Sequence, residues 1–179
     1  MLASRSARLF QRADAYEQRL CRSLNRGLMR PAVRDLFVVV SRLGDGVAWY
    51  VLVLLIPVRY GEAGLRPALV MAVTGIIGVA LYKVLKHRLV RERPYITFAG
   101  INAGTVPLDR YSFPSGHTLH AVAFTVLATA YFPILGWVLV PFAALIAASR
   151  VVLGLHYPTD VLAGAALGAA LATGALALA

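Results

Sequence analysis

From Thr118 to Ser149 the chain carries no charged side chain, and from Val161 to Ala179 it again carries none. Leu65 to Tyr82 carries one, Arg66. Such runs constrain the fold more than any other feature. An apolar run of about 20 residues is what a helix needs to cross a hydrocarbon core roughly 30 Å thick. The chain is 59% hydrophobic with a mean hydropathy of +0.71, whereas a soluble domain is about half apolar. The expected fold is therefore all-α: a polytopic membrane helix bundle of about five transmembrane helices, with an N-terminal amphipathic interfacial helix. Residues 1–34 are expected to form that basic interfacial segment and residues 35–179 a single membrane domain.

The first expected span runs from Leu36 to Val58 and is interrupted by Arg42, Gly44, Asp45 and Gly46. Val47 to Val58 alone is too short to cross, so the span begins before Gly44 or the bilayer is locally thin. Pro67 to Lys86, Ser115 to Phe132, Trp137 to Leu153 and Pro158 to Ala179 are the others. Tyr131 and Trp137 are placed as interfacial anchors. Gly164 and Gly168, with many alanines, allow close helix contact in the last span. Residues 87–114 form the only long polar loop.

The net charge is +10, from 18 basic and 8 acidic residues. In a soluble protein that excess points to nucleic acid; in a chain this apolar it does not, and no nucleic-acid partner is expected. Arg5, Arg8, Arg12, Arg19, Arg22, Arg26, Arg30 and Arg34 interleave with Leu9, Phe10, Tyr16, Leu20, Leu24 and Leu28. From Tyr16 onward the apolar spacing is helical, which describes a helix lying in the headgroup layer and bound to anionic lipid. A disordered basic tail is the alternative. Residues 1–30 hold no continuous apolar run, so no cleavable signal peptide is expected. Cys21 stands alone, so it cannot form an internal disulfide, and is read as inert.

Three short clusters carry the chemistry. Lys86 ends the second span, and Arg93-Pro94 follows in the loop. Interfacial cations ordinarily snorkel, an account that covers Lys83, Arg88 and Arg91. Arg93 is different, because the following proline restricts its backbone and places its guanidinium at a defined point. A planar fork and a point charge suit the oxygens of a phosphate. Pro114-Ser115-Gly116-His117 opens the third span. Ser115 is a good N-cap, Gly116 permits close approach, and the free amides of a helix start attract an oxyanion. A plain cap with an interfacial histidine is the ordinary account. His117 lies in that first turn; His120, one turn on, reads as a packing residue. Ser149-Arg150 ends the fourth span, and His156 and Asp160 lead into the fifth. An acid in the first turn of a helix is favoured in any case. The sharper reading has Asp160 accept from one nitrogen of His156, which frees the other nitrogen to attack. Counting crossings puts all three clusters on one face of the membrane.

These residues resemble the type-2 phosphatidic acid phosphatase family, which shares its core with vanadium haloperoxidases. The family pattern is Lys, six residues, Arg-Pro; then Pro-Ser-Gly-His; then Ser-Arg, five residues, His, three residues, Asp. This chain is similar at every defined position, and the resemblance covers roughly residues 43–172, including the turn Leu43-Gly44-Asp45-Gly46. It implies a membrane hydrolase acting on lipid phosphates or diphosphates through a phosphohistidine, with no metal and no cofactor. It also implies roles: Lys86, Arg93, Ser115, Gly116 and Arg150 hold phosphate, His156 attacks phosphorus, His117 protonates the leaving oxygen, and Asp160 orients His156. Substrates of the phosphatidylglycerophosphate, phosphatidic acid, undecaprenyl diphosphate or lipid A kind are expected, in the bacterial cytoplasmic membrane. The competing reading is a non-catalytic anion-binding or transport protein; vanadate-dependent peroxidation is a third.

Sidedness stays open at this stage. The basic N-terminal residues and the cations of the clusters fall on one side, against Arg59 and Arg66 on the other, and the positive-inside rule would put that first side in the cytoplasm. If residues 20–43 crossed fully, the opposite orientation would follow. Impermeant thiol labelling of Cys21 is the natural probe of the difference.

Overall fold

The computed structural model describes residues 5–107 and 109–179, with side chains from residue 15 onward. The expectations for Arg5, Arg8, Leu9, Phe10 and Arg12 as side chains lie outside the described residues. In chain order the helices are α1 (Arg5–Asn25), α2 (Pro31–Arg42), α3 (Ala48–Tyr60), α4 (Glu62–Leu89), the single turn α5 (Pro94–Thr97), α6 (Gly116–Tyr131), α7 (Gly136–Val152) and α8 (Pro158–Leu178).

Among the described residues, four stretches are long and apolar enough to cross a membrane: Pro31–Tyr60, Glu62–Leu89, Pro133–Val152 and Pro158–Leu178. The first contains α2 and α3 joined through a wide turn over Leu43–Val47, where Gly46 has φ 113°. A side chain there would be strained, which accounts for glycine at the bend. The helical stretch thus begins before Gly44, the first of the two alternatives that the short Val47–Val58 segment left. The expected span at 115–132 is α6, whose 16 residues reach only about 24 Å at 1.5 Å each. It is sheltered by α4, α7 and α8, with Leu119, Ala121, Leu127 and Ala128 fully buried. At 28 residues, about 42 Å, α4 overshoots the hydrocarbon and carries Lys86 beyond it.

The outer surface of the bundle is apolar, as a bilayer demands. Leu54, Val58, Leu69, Ile76, Trp137, Val138 and Leu162 are exposed large apolar side chains. The interior holds Trp49 stacked on Phe124 at 5.4 Å, with Met71 and Ile146 beside them. The Trp49 indole donates to the Gly44 carbonyl (3.2 Å), so the bend is tied to the core. Tyr60 stacks on Phe132 at 3.9 Å at the far end of the bundle. The ends of α4 and α7 and the starts of α6 and α8 meet at the opposite end.

The N-terminal helix lies at that same end. It does not lie free on a surface: Glu17, Cys21 and Asn25, spaced by four, are buried against the bundle. The Asn25 amide donates to the carbonyls of Asn102 and Val152 (2.9 Å each) and accepts from the Asn102 amide (2.8 Å). The apolar stripe faces outward, with Tyr16 and Leu24 exposed. Residues 20–30 therefore stay beside the cluster end and do not cross. Burial, then the Glu17 and Asp160 carboxylates, pushes the Cys21 thiol up to about 12. Thiol labelling at Cys21 thus cannot report sidedness, because the thiol is both occluded and protonated.

The closest helix pair is α6 with α8. A Cβ on Gly164 would stand 2.5 Å from the Ser115 carbonyl oxygen, and one on Gly168 2.3 Å from that of Leu119. Both obstacles are backbone, so neither can swing aside. Gly168→Ala is expected to destabilise the fold by about 1–3 kcal/mol, read as a lowered thermal midpoint in detergent. Gly174→Ala, with nothing within 4 Å, is expected to be neutral or slightly stabilising.

Candidate active site

At the cluster end a cavity of about 600 Å³ opens between α3 and α4. Val53, Leu54, Ile76, Val79 and Phe124 form its apolar walls, and Lys86, Arg93, Gly116, His117, Arg150 and His156 form its polar end. Leu54 and Ile76 are also largely exposed on the outer surface, so the cavity is open toward lipid.

The sequence explains how each polar group arrives. Lys86 sits in the last turn of α4. Arg93 is extended (φ −79°, ψ 152°) because Pro94 follows and starts α5. Its guanidinium is buried and donates to the Leu155 carbonyl (2.8 Å), the Asp109 carbonyl (2.8 Å) and the Asp109 carboxylate (2.9 Å). Arg150 ends α7, bonds Ser41 from α2, and leaves its buried Nε without a partner among the described residues. A tight turn follows, with Gly154 at φ 70°, and the amides of Leu155 and His156 both return to the Arg150 carbonyl (3.1 and 3.0 Å). That turn folds His156 back under Arg93, its Nε2 3.3 Å from the guanidinium.

His156 is fully enclosed. Burial first, and then the charges of Arg150, Arg93 and Lys86, lower its pKa well below the ordinary imidazole value. The ring is neutral at pH 7, and its Nδ1 faces Asp160 Oδ2 at 3.6 Å. That separation is longer than a hydrogen bond, so the bond foreseen between the two residues is not closed. Oδ2 instead accepts from the Tyr157 amide (2.8 Å) in the first turn of α8, and Oδ1 accepts from Arg91 (2.7 Å).

Ser115 caps α6: its hydroxyl pairs with that of Thr118 (2.9 Å), and its amide donates to the Asp160 carbonyl (3.0 Å). It stands behind the cavity wall; Gly116 and His117 reach the cavity itself. His120 bridges two helices, with Nδ1 2.9 Å from the Gly116 carbonyl oxygen and Nε2 3.1 Å from that of Gly75. This is the packing role its position suggested.

Two carboxylates in the cavity were not singled out from sequence. Asp45, at the bend between α2 and α3, lies 3.3 Å from His117 Nε2. Asp109 places its carboxylate on Lys86 (2.7 and 2.9 Å) and on Arg93. Burial alone would raise the Asp109 carboxyl, but the bonds and charges of Lys86 and Arg93 outweigh it and hold the group below the usual carboxylate range. Residues 95–113 contain no local pattern that would have marked Asp109, because its partners Arg93 and Lys86 lie 16 and 23 residues back along the chain and meet it only through the fold of the loop.

Known proteins resemble this chain in sequence and in fold. The pattern describing the PAP2 superfamily matches residues 63–179. The decaprenylphosphoryl-5-phosphoribose phosphatase of Mycolicibacterium smegmatis is 33% identical over 137 residues, covering 75% of this chain and 73% of its own. The undecaprenyl-diphosphatase of Sulfolobus acidocaldarius is 34% identical over 145 residues, covering 76% of this chain and 66% of its own. The crystal structure of a transmembrane PAP2-type phosphatidylglycerolphosphate phosphatase from Bacillus subtilis superimposes with a TM-score of 0.72 at 27% identity, over 93% of this chain and 85% of that one.

Asp109 presents to Lys86 and Arg93 the same kind of oxygen pair that a phosphate would. Asp109→Asn is expected to tighten binding of orthovanadate by about 10-fold or more, since a charge-assisted hydrogen bond contributes about 1.5–3 kcal/mol. A vanadate titration of the purified protein measures this; weaker binding would mean that Asp109 organises the two cations instead of competing for them.

Proposed function

The chain belongs to the PAP2 superfamily, and from that premise we propose that it removes phosphate from a membrane lipid by nucleophilic attack of His156. The observation that carries this reading is a neutral imidazole, Nε2 outward, enclosed among Lys86, Arg93 and Arg150 at the end of a lipid-open cavity. Phosphoryl transfer needs little from a protein beyond alignment and cancellation of charge on the equatorial oxygens. Here three cations and the Gly116 amide at the start of α6 supply the charge. The unpartnered Arg150 Nε has a donor to give a phosphate oxygen.

The steps follow from the positions. The lipid tail lies between α3 and α4, and its phosphate takes the place of the Asp109 carboxylate on Lys86 and Arg93. The His156 Nε2 lone pair forms a bond to phosphorus as the bond to the lipid oxygen breaks. His117, in the first turn of α6, takes up a proton as the phosphate enters, with Asp45 3.3 Å from its Nε2 to balance the charge, and delivers that proton to the departing oxygen. The Nδ1 proton of His156 points at Asp160, which balances the positive charge the ring acquires. Water then attacks the phosphohistidine, gives its proton to His117, and releases inorganic phosphate. Ser115 contributes by holding the helix start in place through Thr118 and Asp160.

The substrate class we propose is a lipid monophosphate or diphosphate, with polyprenyl carriers, phosphatidylglycerophosphate, phosphatidic acid and lipid A as the set to assay. The relatives named above are phosphatases of polyprenyl carriers and of phosphatidylglycerolphosphate. We place the protein in the bacterial cytoplasmic membrane. Residues 1–34 are proposed as a basic segment resting on anionic lipid through the outward Tyr16–Leu20–Leu24 stripe, ahead of the catalytic domain at 35–179. A carrier of anions would need the cations but not an oriented imidazole.

Purified protein is expected to release phosphate from at least one lipid in that panel, and His156→Ala to abolish release while leaving the thermal midpoint within a few degrees. Wild-type turnover by His156→Ala would overturn the reading. Arg150→Ala is expected to lower turnover by about 100- to 1000-fold, as loss of one transition-state donor does.

The pH dependence follows from the direction of the His156 shift. The imidazole must be neutral to attack, and its pKa lies well below the ordinary value, which is about 6.5. The acid limb of kcat/KM is therefore expected to fall below that pH, with activity intact at 6.5 and lost only in more acidic solution. An acid limb centred above about 7 would contradict the burial and charge environment of His156.

A further inference from the structure

The N-terminal helix does more than rest on lipid. We infer that α1 supplies a positioning residue, Glu17, which acts through Arg91 on Asp160 and so holds His156 in place. The inference rests on the assignment of His156 as nucleophile.

Glu17 is an acid buried on the docked face of α1, and both its oxygens are engaged. Oε1 accepts from the Thr159 amide (2.8 Å) and hydroxyl (2.6 Å), and Oε2 accepts from Arg91 (2.7 Å). Arg91 uses its other terminal nitrogen on Asp160 Oδ1 and on the Thr159 hydroxyl, both at 2.7 Å. Its guanidinium carbon lies over the Tyr157 ring, 3.8 Å from the centroid. Burial alone would lower the Arg91 pKa, but Asp160 and Glu17 together raise it, so the cation is fixed. A fork with two acids on it and an aromatic face beneath has little freedom left.

The consequence falls on Asp160. Arg91 takes Oδ1 from one side and the Tyr157 amide takes Oδ2 from another, which leaves the carboxylate facing His156 Nδ1. One helical stripe of α1 thus grips the hairpin that bears His156 at both ends: Asn25 holds Val152 before it, and Glu17 holds Thr159 after it. A helix that served only as a lipid anchor would need its apolar stripe, and would have no use for a buried glutamate beside it.

Glu17→Gln keeps the shape and an acceptor for Thr159 but removes the charge that holds Arg91. Misplacement of a reacting group by about 1 Å costs up to roughly 100-fold. The expected result is a fall in kcat of about 10-fold or more with KM changed less than about twofold. Orthovanadate affinity should be unchanged, because Lys86, Arg93 and Arg150 are untouched. Glu17→Asp, which retains the charge, should recover part of the loss. If Glu17→Gln does not fold, Arg91→Lys carries the same test, since it keeps a cation for Glu17 but loses the fork that reaches Asp160. Rapid-quench measurement of phosphohistidine formation should then slow in the same proportion as kcat. Wild-type kcat in the folded variant, or loss of kcat and vanadate binding together, would overturn the inference. Failure of His156→Ala to abolish turnover would instead strike the underlying assignment.

Discussion

The contact between α6 and α8 sets the frame for everything at the polar end of the bundle. Gly164 and Gly168 bring the backbone of α8 against the carbonyls of Ser115 and Leu119. At that distance the Ser115 amide can bond the Asp160 carbonyl. Two helix starts then lie side by side, one bearing Gly116 and His117, the other Asp160. In a bilayer no hydrophobic force drives helices together, so tight van der Waals contact between small residues is what holds such a pair. The geometry of the site is a consequence of that contact.

Onto this frame the chain loads three cations within reach of one imidazole. Concentrated positive charge in a low-dielectric site is costly unless anions or dipoles answer it. Asp109 answers Lys86 and Arg93, the Leu155 carbonyl answers Arg93, and Ser41 answers Arg150. The same cations, together with burial, keep His156 unprotonated. One arrangement therefore serves two ends: charge that can receive a phosphate also keeps the nucleophile in the form that attacks. Arg91, by contrast, is spent on Glu17 and Asp160 and stands behind the hairpin that carries His156. The cations of the site thus divide into those that face the cavity and one that braces it.

Much of this was legible in the linear chain. Lys86, Arg93, His117, Arg150 and His156 could be gathered on one membrane face by counting apolar runs, and the structure puts them around one cavity. The Gly164 and Gly168 contact followed from their spacing, and the position of Arg93 from the proline after it. What escaped notice were the carboxylates that answer the cations. Asp45 looked like part of a turn, Asp109 like a loop residue, and Glu17 like one acid in a basic segment. Arg91 passed for an interfacial cation of the ordinary kind. The docked stripe of α1 was also hidden, because Glu17, Cys21 and Asn25 do not read as a packing face beside the stronger apolar stripe next to them.

The division has a physical reason. Hydrophobic periodicity and the helix-ending effects of proline and glycine act over a few residues, so the number of apolar helices, their polarity and the level of each charged cluster are properties of the chain itself. Ion pairing acts through space between groups that the chain separates by up to 74 residues, as for Arg91 with Glu17. Which acid meets which base depends on how the helices pack, and only the folded bundle decided that Asp109 lies on the cations of the cavity and Glu17 on the one behind it.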